Sequence, residues 1–309
     1  MLTRNMVMDL IFQISRKNLV NKLLFKILIF LSTVQFASGQ TEQSLLWEIS
    51  GPGLDEPSYL YGTIHIQDKR VFSFDSIVWK KFNECEAYAM ELLLDEIDKE
   101  EIQKMMLMKD TTLRDLLSPE DYKLLDQFFR KKTGTGIMLY DKMKPFMVYS
   151  QISISGFSQD MPLALDAYFL EKARKSGKKA LGIEKLSDQL GAIDQITLKD
   201  QAQMLMVFVK DTSSLEDNGF EEMLKSYCNA DLKMLTEMTA DTSLPGNFEE
   251  AFLTKRNETM AKNIVKFSKK QRTFSAIGAA HLGGEKGVIE LIRKKGYMVK
   301  AIPFSFVSN

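Results

Sequence analysis

The sequence contains few of the residues on which several protein classes depend. Its 309 residues include two cysteines and two histidines, and 41 basic residues balance 41 acidic ones. Two cysteines are too few for a disulfide-rich scaffold, and a balanced charge argues against a protein that binds nucleic acid through bulk positive charge. A hydrophobic content of 45% excludes a disordered tail. Any chemistry that needs imidazole therefore depends on His65 and His281.

Several enzyme motifs are also absent from the sequence. It contains no H-E-x-x-H motif of zinc peptidases, no G-x-S-x-G nucleophile elbow and no C-x-x-C-H haem attachment site. The glycines within 132–136 follow a charged helix end and not a strand, so this segment is predicted to be a turn and not a dinucleotide loop. No Gly/Ser-rich or Pro-rich linker divides the chain, which favours one compact domain with a helical insertion.

The first 39 residues have the features of a secretory leader. A basic pair precedes an apolar stretch over 23–37 that ends in small residues. An uncleaved membrane anchor is the alternative, but the stretch is short for a membrane span and contains Lys26. We expect a signal peptide over 1–39 and an exported domain over 40–309 that is periplasmic or secreted. The domain would be membrane-anchored only if the leader is not cleaved. The exported part has 36 basic and 40 acidic residues, so no nucleic-acid partner is expected.

Hydrophobic patterning predicts an α/β fold in which the two ends of the chain have the same order of elements. Strands are predicted at 45–49, 59–64, 87–94, 179–183, 272–277 and 297–304, the first two as a hairpin, and helices at 75–84, 101–108, 119–131, 163–175, 198–210, 220–238, 248–268 and 285–295. Each end thus forms a β-α-β unit with a G-x-x-H motif at a strand end, and a large helical insertion separates the two units. Such units imply parallel pairing of their strands.

Both histidines follow a glycine by three residues, at the point where a strand leaves the sheet. Ligands bind at this carboxyl edge of open α/β sheets, and glycine lets the backbone turn tightly there. One such histidine could simply be a hydrogen-bonded residue at a strand end. Two imidazoles at one edge suit a divalent transition metal, with Mn, Co and Zn as candidates.

A hydrolytic metal site needs ligands or a base beyond two histidines. Glu91 is a candidate because it is a lone carboxylate inside an apolar strand, where an unpaired charge is costly to bury. A solvent-facing strand position is the alternative. Glu184, at the end of the strand at 179–183, is the next candidate, although it could instead be a charge at a helix N-terminus.

The two cysteines could form one bridge in an oxidising compartment. Cys85 lies between Glu84 and Glu86, which would raise the pKa of its thiol, whereas Cys228 follows Lys225 by three residues. A buried or bridged structural thiol is therefore predicted in preference to a nucleophile.

Taken together, these segments resemble the TraB/GumN family, to which the TIKI proteins are related, within a wider superfamily of erythromycin-esterase-like and ChaN-like proteins. The segments that carry the resemblance are LYGTIH at 60–65, the strand with Glu91, LGIE at 181–184 with Gln189, KRN at 255–257, IGAAHL at 277–282, Gly287-Val288 and Gly296-Tyr297. The chain departs from many members at Ala279-Ala280, where they have a glycine before the histidine.

The resemblance implies that His65 and His281 bind a divalent metal and that Glu91 is a metal ligand or a catalytic base. Glu184 and Arg256 would complete the site, Arg256 by stabilising a developing oxyanion or, alternatively, only as a salt bridge on a helix surface. The predicted function is an exported metal-dependent hydrolase, foremost a peptidase that uses a metal-activated water on a peptide or protein substrate. The alternative is a non-catalytic protein that binds haem or a peptide at the same site.

Overall fold

The computed structural model describes residues 43–155, 157–210, 218–239 and 253–306. The predicted signal peptide over 1–39 lies outside these residues. Within the described ranges, no helix has the length and apolar character that crossing a membrane requires.

The described chain is a mixed α/β structure with six strands and twelve α-helices. The strands are β1 (Leu46–Ser50), β2 (Ser58–Thr63), β3 (Ala87–Met90), β4 (Lys179–Gly182), β5 (Thr273–Gly278) and β6 (Met298–Ala301). The helices are α1 (Ser76–Asn83), α2 (Lys99–Met106), α3 (Leu113–Leu116), α4 (Pro119–Thr133), α5 (Pro145–Ile154), α6 (Leu165–Lys175), α7 (Leu186–Asp194), α8 (Leu198–Lys210), α9 (Asn218–Cys228), α10 (Leu232–Thr239), α11 (Lys255–Ser268) and α12 (Val288–Lys294).

The strands form one sheet in the order β4-β3-β5-β2-β1-β6. The first four strands are parallel to one another, and β1 runs antiparallel to both β2 and β6. All residues of β2 and β3 are buried, which explains why neither strand contains a charged residue. The predicted α/β class is therefore confirmed, with a mixed sheet.

The two predicted β-α-β units are present, but the prediction that each unit pairs its own strands is wrong. β5 lies between β2 and β3, and β2 and β1 lie between β5 and β6. A strand buried on both faces needs a hydrogen-bonded neighbour at each side, since its backbone groups have no access to water. β5 supplies that neighbour to both β2 and β3, so the two G-x-x-H strands pair with each other.

The predicted turns occur where the sequence places glycine. β1 and β2 form the expected hairpin, and the intervening Gly51 and Gly53 have φ angles of +148° and +75°. Gly134, with φ of +75°, ends α4 within the predicted turn at 132–136. Gly296, with φ of +87°, follows α12 as the predicted stop. These positive angles exclude most side chains, which is why glycine marks the element ends so reliably.

The predicted helix over 220–238 is in fact two helices, α9 and α10. The helix is interrupted at Ala230, which has a φ angle of +54°. The Asp231 carboxylate accepts a hydrogen bond from the Met234 backbone N–H at 3.0 Å and so starts the second helix. The helix predicted over 248–268 begins at Lys255; residues 248–252 lie outside the described part.

Helix α6 is fixed against the sheet by a buried aromatic cluster. Phe169 is fully buried and its ring centroid lies 5.6 Å from that of Phe274 and 6.2 Å from that of Tyr88. The Tyr88 hydroxyl also donates to the backbone carbonyl of Asp166 at 3.0 Å. The start of α6 is thereby held close to the carboxyl end of β3.

The two cysteines are not bonded to each other. Cys85 is buried, and this burial raises the pKa of its thiol to about 12. Burial also raises the pKa of the half-buried Cys228. Neither thiol is therefore activated as a nucleophile, which agrees with the predicted structural role.

Candidate functional site

The two G-x-x-H motifs meet at one edge of the sheet because β2 and β5 are parallel neighbours. Their register pairs Gly62 with Ile277 and Thr63 with Gly278, so both strands end at the same level. His65 follows one strand end, and His281 closes a short 3-10 turn after the other. The predicted convergence of the two histidine loops is thus explained by direct strand pairing.

The next two strands bring the two predicted glutamates to the same edge. β3 and β4 pair Met90 with Gly182, and the ladder continues as the Glu184 N–H donates to the Glu91 carbonyl at 2.9 Å. Both residues are buried, with 7% and 6% of their surface exposed. The alternative of a solvent-facing Glu91 is therefore wrong. Glu184 directly precedes Lys185, the N-cap residue of α7, so it lies at a helix N-terminus as well as in the buried site.

Arg256, in the first turn of α11, joins the two carboxylates. Its Nη2 donates to Glu91 Oε2 at 2.9 Å and to Glu184 Oε2 at 2.7 Å, and its Nε lies 3.1 Å from both oxygens of Glu184. The guanidinium is buried, so the alternative of a helix-surface salt bridge is excluded. Gln189 adds hydrogen bonds to Glu91 at 3.0 Å and to Glu184 at 3.3 Å. A buried carboxylate pair of this kind is stable only with such donors around it.

Glu91 is held in its ionised form. Burial opposes ionisation, but the charge that His281 carries in the acid range in which Glu91 titrates, the charges of His65 and Arg256, and the N–H of Gly278 hold the pKa of its carboxyl at about 2. That N–H donates to Glu91 Oε1 at 2.7 Å. A Cβ atom at Gly278 would lie 3.3 Å from this oxygen and 3.5 Å from His281 Cδ2, so glycine allows both side chains to approach the strand end.

Glu184 differs from Glu91 in its electrostatic setting. Its side chain has no exposed surface, and this burial, together with the charge of Glu91, raises the pKa of its carboxyl despite the hydrogen bonds from Arg256. Glu184 thus depends on the Arg256 guanidinium for neutralisation, whereas Glu91 also has the histidines and the Gly278 N–H.

Asp166 orients the ring of His65. His65 Nδ1 lies 2.9 Å from Asp166 Oδ2, and its Nε2 lies 4.0 Å from Glu91 Oε1. The protein atoms around the ring partly desolvate it and disfavour its charge, but the carboxylates of Asp166 and Glu91 outweigh this effect and raise the pKa of His65 to about 9. The side chain is 55% exposed and lines the cavity, so a ligand can reach it.

Asn257 orients the ring of His281. His281 Nδ1 lies 2.6 Å from Asn257 Oδ1, and the same amide donates through Nδ2 to the Lys286 carbonyl at 2.9 Å. Because an amide oxygen only accepts, the proton of the ring lies on Nδ1 and Nε2 carries the lone pair. Burial lowers the pKa of this imidazole to about 4, so the ring is neutral near pH 7.

The donor set suits a divalent transition metal in its chemistry. Both imidazoles are anchored at Nδ1 by an oxygen acceptor, the arrangement usual for metal-binding histidines, and Glu91 is an ionised oxygen donor. Among the described residues, however, no group of three or more His, Cys, Asp or Glu side chains is placed to hold a metal ion. His65 Nε2 is 4.0 Å from Glu91 Oε1, longer than the roughly 3.4 Å between two ligands of one tetrahedral zinc. His65, His281 and Glu91 therefore remain predicted ligands.

A cavity of about 500 Å³ opens at this edge of the sheet. Its size is that of pockets that bind small ligands or short peptide segments. Its charged and polar wall includes four of the five predicted site residues, all except the buried Glu184. The cavity is lined by Thr63, Ile64, His65, Glu91, Tyr149, Gln189, Met223, Tyr227, Leu235, Met238, Arg256, Gly278, Ala279, Ala280 and His281.

Two orienting residues were not predicted from the sequence. Asp166 is an acidic residue in the first turn of an amphipathic helix, where a carboxylate is common for reasons of helix electrostatics, so no pattern distinguishes it. Asn257 lies in the segment KRN at 255–257, for which the sequence predicts a site role for Arg256 alone. Its position directly after Arg256, on the buried side of α11, is the one available indication.

Comparison with known proteins shows which family the chain is similar to. The model of the TraB/PrgY/gumN family matches residues 45–301. Curated relatives include Metalloprotease TIKI2 of Xenopus tropicalis, 24% identical, and Metalloprotease TIKI1 of Danio rerio, 25% identical, each matched over 84% of this chain and 60% and 63% of their own length. Metalloprotease TIKI1 of Homo sapiens is 23% identical over 84% of the chain and 62% of its own length.

The chain thus spans about 60% of the length of these curated relatives. No solved structure matches it. The family match covers the whole sheet and every residue of the site described above. The chain therefore belongs to the TraB/PrgY/gumN family.

Proposed function

We propose that the protein is a metal-dependent peptidase whose centre is built from His65, His281 and Glu91. The observation that carries this proposal is the convergence of two imidazoles, each anchored through Nδ1, and one ionised carboxylate on a single cavity. The names of the relatives, which are metalloproteases, support the same reaction class. A peptide or protein is accordingly the proposed substrate.

In this proposal, His65 and His281 hold the metal through Nε2, and Glu91 holds it through Oε1. A bound divalent metal supplies Lewis-acid activation of water and of a carbonyl group. Manganese, cobalt and zinc all accept this donor set. Arg256, Gln189 and the Gly278 N–H all donate hydrogen bonds to the Glu91 carboxylate and fix it in place, which favours the ligand role over the role of general base.

Arg256, Glu184 and Gln189 act on Glu91. Arg256 and Gln189 hold its Oε2, which leaves Oε1 directed towards the Gly278 strand end and the histidines. Glu184 balances the charge of Arg256 within the buried network. The oxyanion contact predicted for Arg256 is retained as part of the proposal, since Arg256 also lines the cavity.

We also propose that the domain over 40–309 is exported by the leader over 1–39. The family match begins at residue 45, after the expected cleavage site, which is compatible with a leader that precedes the domain. N-terminal sequencing of the protein recovered from an exporting host tests this: a chain that begins at Gln40 supports cleavage, and a chain that keeps the leader overturns it.

The peptidase proposal is tested by metal analysis and peptide digestion. The chelator-treated protein is reloaded with Mn²⁺, Co²⁺ or Zn²⁺, the bound metal is counted by mass spectrometry, and a mixed-sequence peptide library is digested. We expect one metal per chain and hydrolysis with at least one of the three ions. His65→Ala and His281→Ala should each weaken metal binding by more than about 100-fold and abolish hydrolysis.

Glu86→Gln is a matched control for Glu91→Gln, because Glu86 is an exposed carboxylate just before the same strand. Only Glu91→Gln should reduce metal binding and hydrolysis. The proposal fails if no divalent metal binds and both histidine variants keep full hydrolytic activity. The non-catalytic alternative is tested in the same preparation by adding haem and recording the Soret band, whose appearance without hydrolysis would favour it.

A further inference from the structure

Two helices form a wall of the cavity that the proposed chemistry does not use. Helix α9 is tied to the chain after His65 by Arg70, whose guanidinium donates to both carboxylate oxygens of Glu221 at 2.8 and 2.9 Å. Helix α10 packs on the chain after His281, where a Cβ atom at Gly283 would lie 2.9 Å from Thr236 Oγ1. The wall is therefore fixed relative to both histidine loops.

The side chains that this wall presents to the cavity are all apolar or aromatic. They are Met223 and Tyr227 from α9, and Leu235 and Met238 from α10. Tyr227 is fully buried, and its hydroxyl donates to the Gly62 carbonyl at 2.8 Å, so its polar atom is used by the sheet. A charged group placed against these residues would lose its hydration without gaining a partner.

The charged residues of the cavity come from other elements. His65, Glu91, Arg256 and His281 belong to the strand ends and to α11, whereas Ile64 and Tyr149 continue the apolar lining. One cavity of about 500 Å³ thus holds both the proposed reaction centre and an apolar surface. A peptide with its carbonyl group at the histidines has room to place one adjacent side chain on that surface.

We propose that the wall formed by Met223, Leu235 and Met238, with the buried Tyr227 behind them, is a specificity subsite that binds one apolar side chain of the peptide substrate beside the cleaved bond. This inference rests on the proposed peptidase function and adds the substrate class. Methionine side chains adapt their shape, so the subsite accepts leucine, methionine and phenylalanine with similar affinity. It rejects aspartate, lysine and serine because the wall offers them no partner.

The first experiment measures binding without cleavage. Metal-free protein is titrated with fluorescent peptides that are identical except for one residue, which is leucine, methionine, phenylalanine, aspartate, lysine or serine. Burial of one apolar side chain should make the first three bind roughly tenfold to a hundredfold more tightly than the last three. Equal dissociation constants across the panel, or absence of binding by all six peptides, would overturn the inference.

The second experiment changes the wall. Met238→Lys should reduce the preference for leucine over aspartate by about tenfold or more, because a cation on the wall attracts the aspartate peptide and disfavours the apolar one. Met234→Lys is the matched control, since Met234 lies on the same helix but not in the cavity lining. Met223→Lys repeats the test from α9, and circular dichroism checks that each variant is folded. An unchanged preference in folded Met238→Lys and Met223→Lys would overturn the inference.

Digestion of the same panel by metal-loaded protein separates the two proposals. Hydrolysis of all six peptides at equal kcat/KM leaves the peptidase function intact and removes the subsite. Selective binding of the apolar peptides without hydrolysis supports the subsite and contradicts the peptidase function. Selective binding with matching selectivity in kcat/KM supports both.

Discussion

Replacing Asp166 by asparagine isolates the charge that acts on His65, because the two side chains have nearly the same shape. Asp166 Oδ2 lies 2.9 Å from His65 Nδ1, and this carboxylate contributes most to the rise of the His65 pKa to about 9. An amide oxygen still accepts the N–H of the ring but no longer stabilises its positive charge. In metal-free protein, Asp166→Asn should therefore lower the pKa of His65 by about 1 to 2.

The assay is a proton NMR titration of the imidazole signals. Since the chain contains two histidines, the spectrum contains two sets of ring signals, one titrating near pH 9 and the other near pH 4. Asp166→Asn should move the higher midpoint downwards and leave the lower one in place. In metal-loaded protein the same variant should weaken metal binding by about 10- to 100-fold, because the orienting acceptor becomes weaker.

Glu171→Gln is the matched control, since it removes one carboxylate from the same helix at a distance from the cavity. It should leave both midpoints and the metal affinity unchanged. The reasoning is refuted if Asp166→Asn leaves the higher midpoint near pH 9, because another group would then hold the proton on His65.

Three further predictions concern stability. Arg256→Met should lower the free energy of unfolding by about 3–5 kcal/mol in urea titrations, because it leaves two buried carboxylates without their shared cation. Gly62→Ala should cost about 1–3 kcal/mol, because its Cβ would lie 2.7 Å from Leu282 Cδ1 in the core. The hydrogen bond from Arg70 lowers the pKa of Asp68 below its ordinary 3.8. Asp68→Asn should therefore be less stable than the unchanged protein above about pH 4, and this difference in the free energy of unfolding should vanish as the pH falls further.

Two of these changes, Gly62→Ala and Asp68→Asn, have a control that tests the physical reason given for them. Gly191 lies inside α7 at an ordinary φ angle with open space around it, so Gly191→Ala should raise stability by about 0.5–1 kcal/mol. A loss there equal to that of Gly62→Ala would contradict the packing argument. For Asp68, a stability difference that stays constant from pH 6 to pH 3 would show that the ion pair with Arg70 contributes nothing.

The fold was predictable where local chemistry decides it. Glycines with positive φ angles set the hairpin and the helix ends, and alternation or continuity of apolar residues located the strands. The order of strands was not predictable in this way. β5 lies between β2 and β3 because it provides backbone hydrogen-bond partners to both, and local sequence does not show which strands pair. The end of α9 near Ala230 was not predicted, because an alanine adopts the left-handed conformation there and no glycine marks the position.

The candidate site was predictable to the extent that its residues are unusual in their local sequence. His65 and His281 stand out by the repeated motif, and Glu91 stands out as a charge within apolar residues. Asp166 does not, because a carboxylate in the first turn of a helix is ordinary. Its role depends on a contact between α6 and the β2 loop, and such contacts between distant segments leave no trace in local patterning.

The pairing of β2 with β5 also decides when the proposed activity can arise. A nascent chain that has not yet reached β5 lacks His281, the Gly278 N–H that holds Glu91, and the strand neighbour that β2 requires. Sheet contacts between segments so distant in sequence form late, since a long loop must close first. On this reasoning, the proposed activity is absent throughout most of the synthesis of the chain and arises only when the sheet is complete.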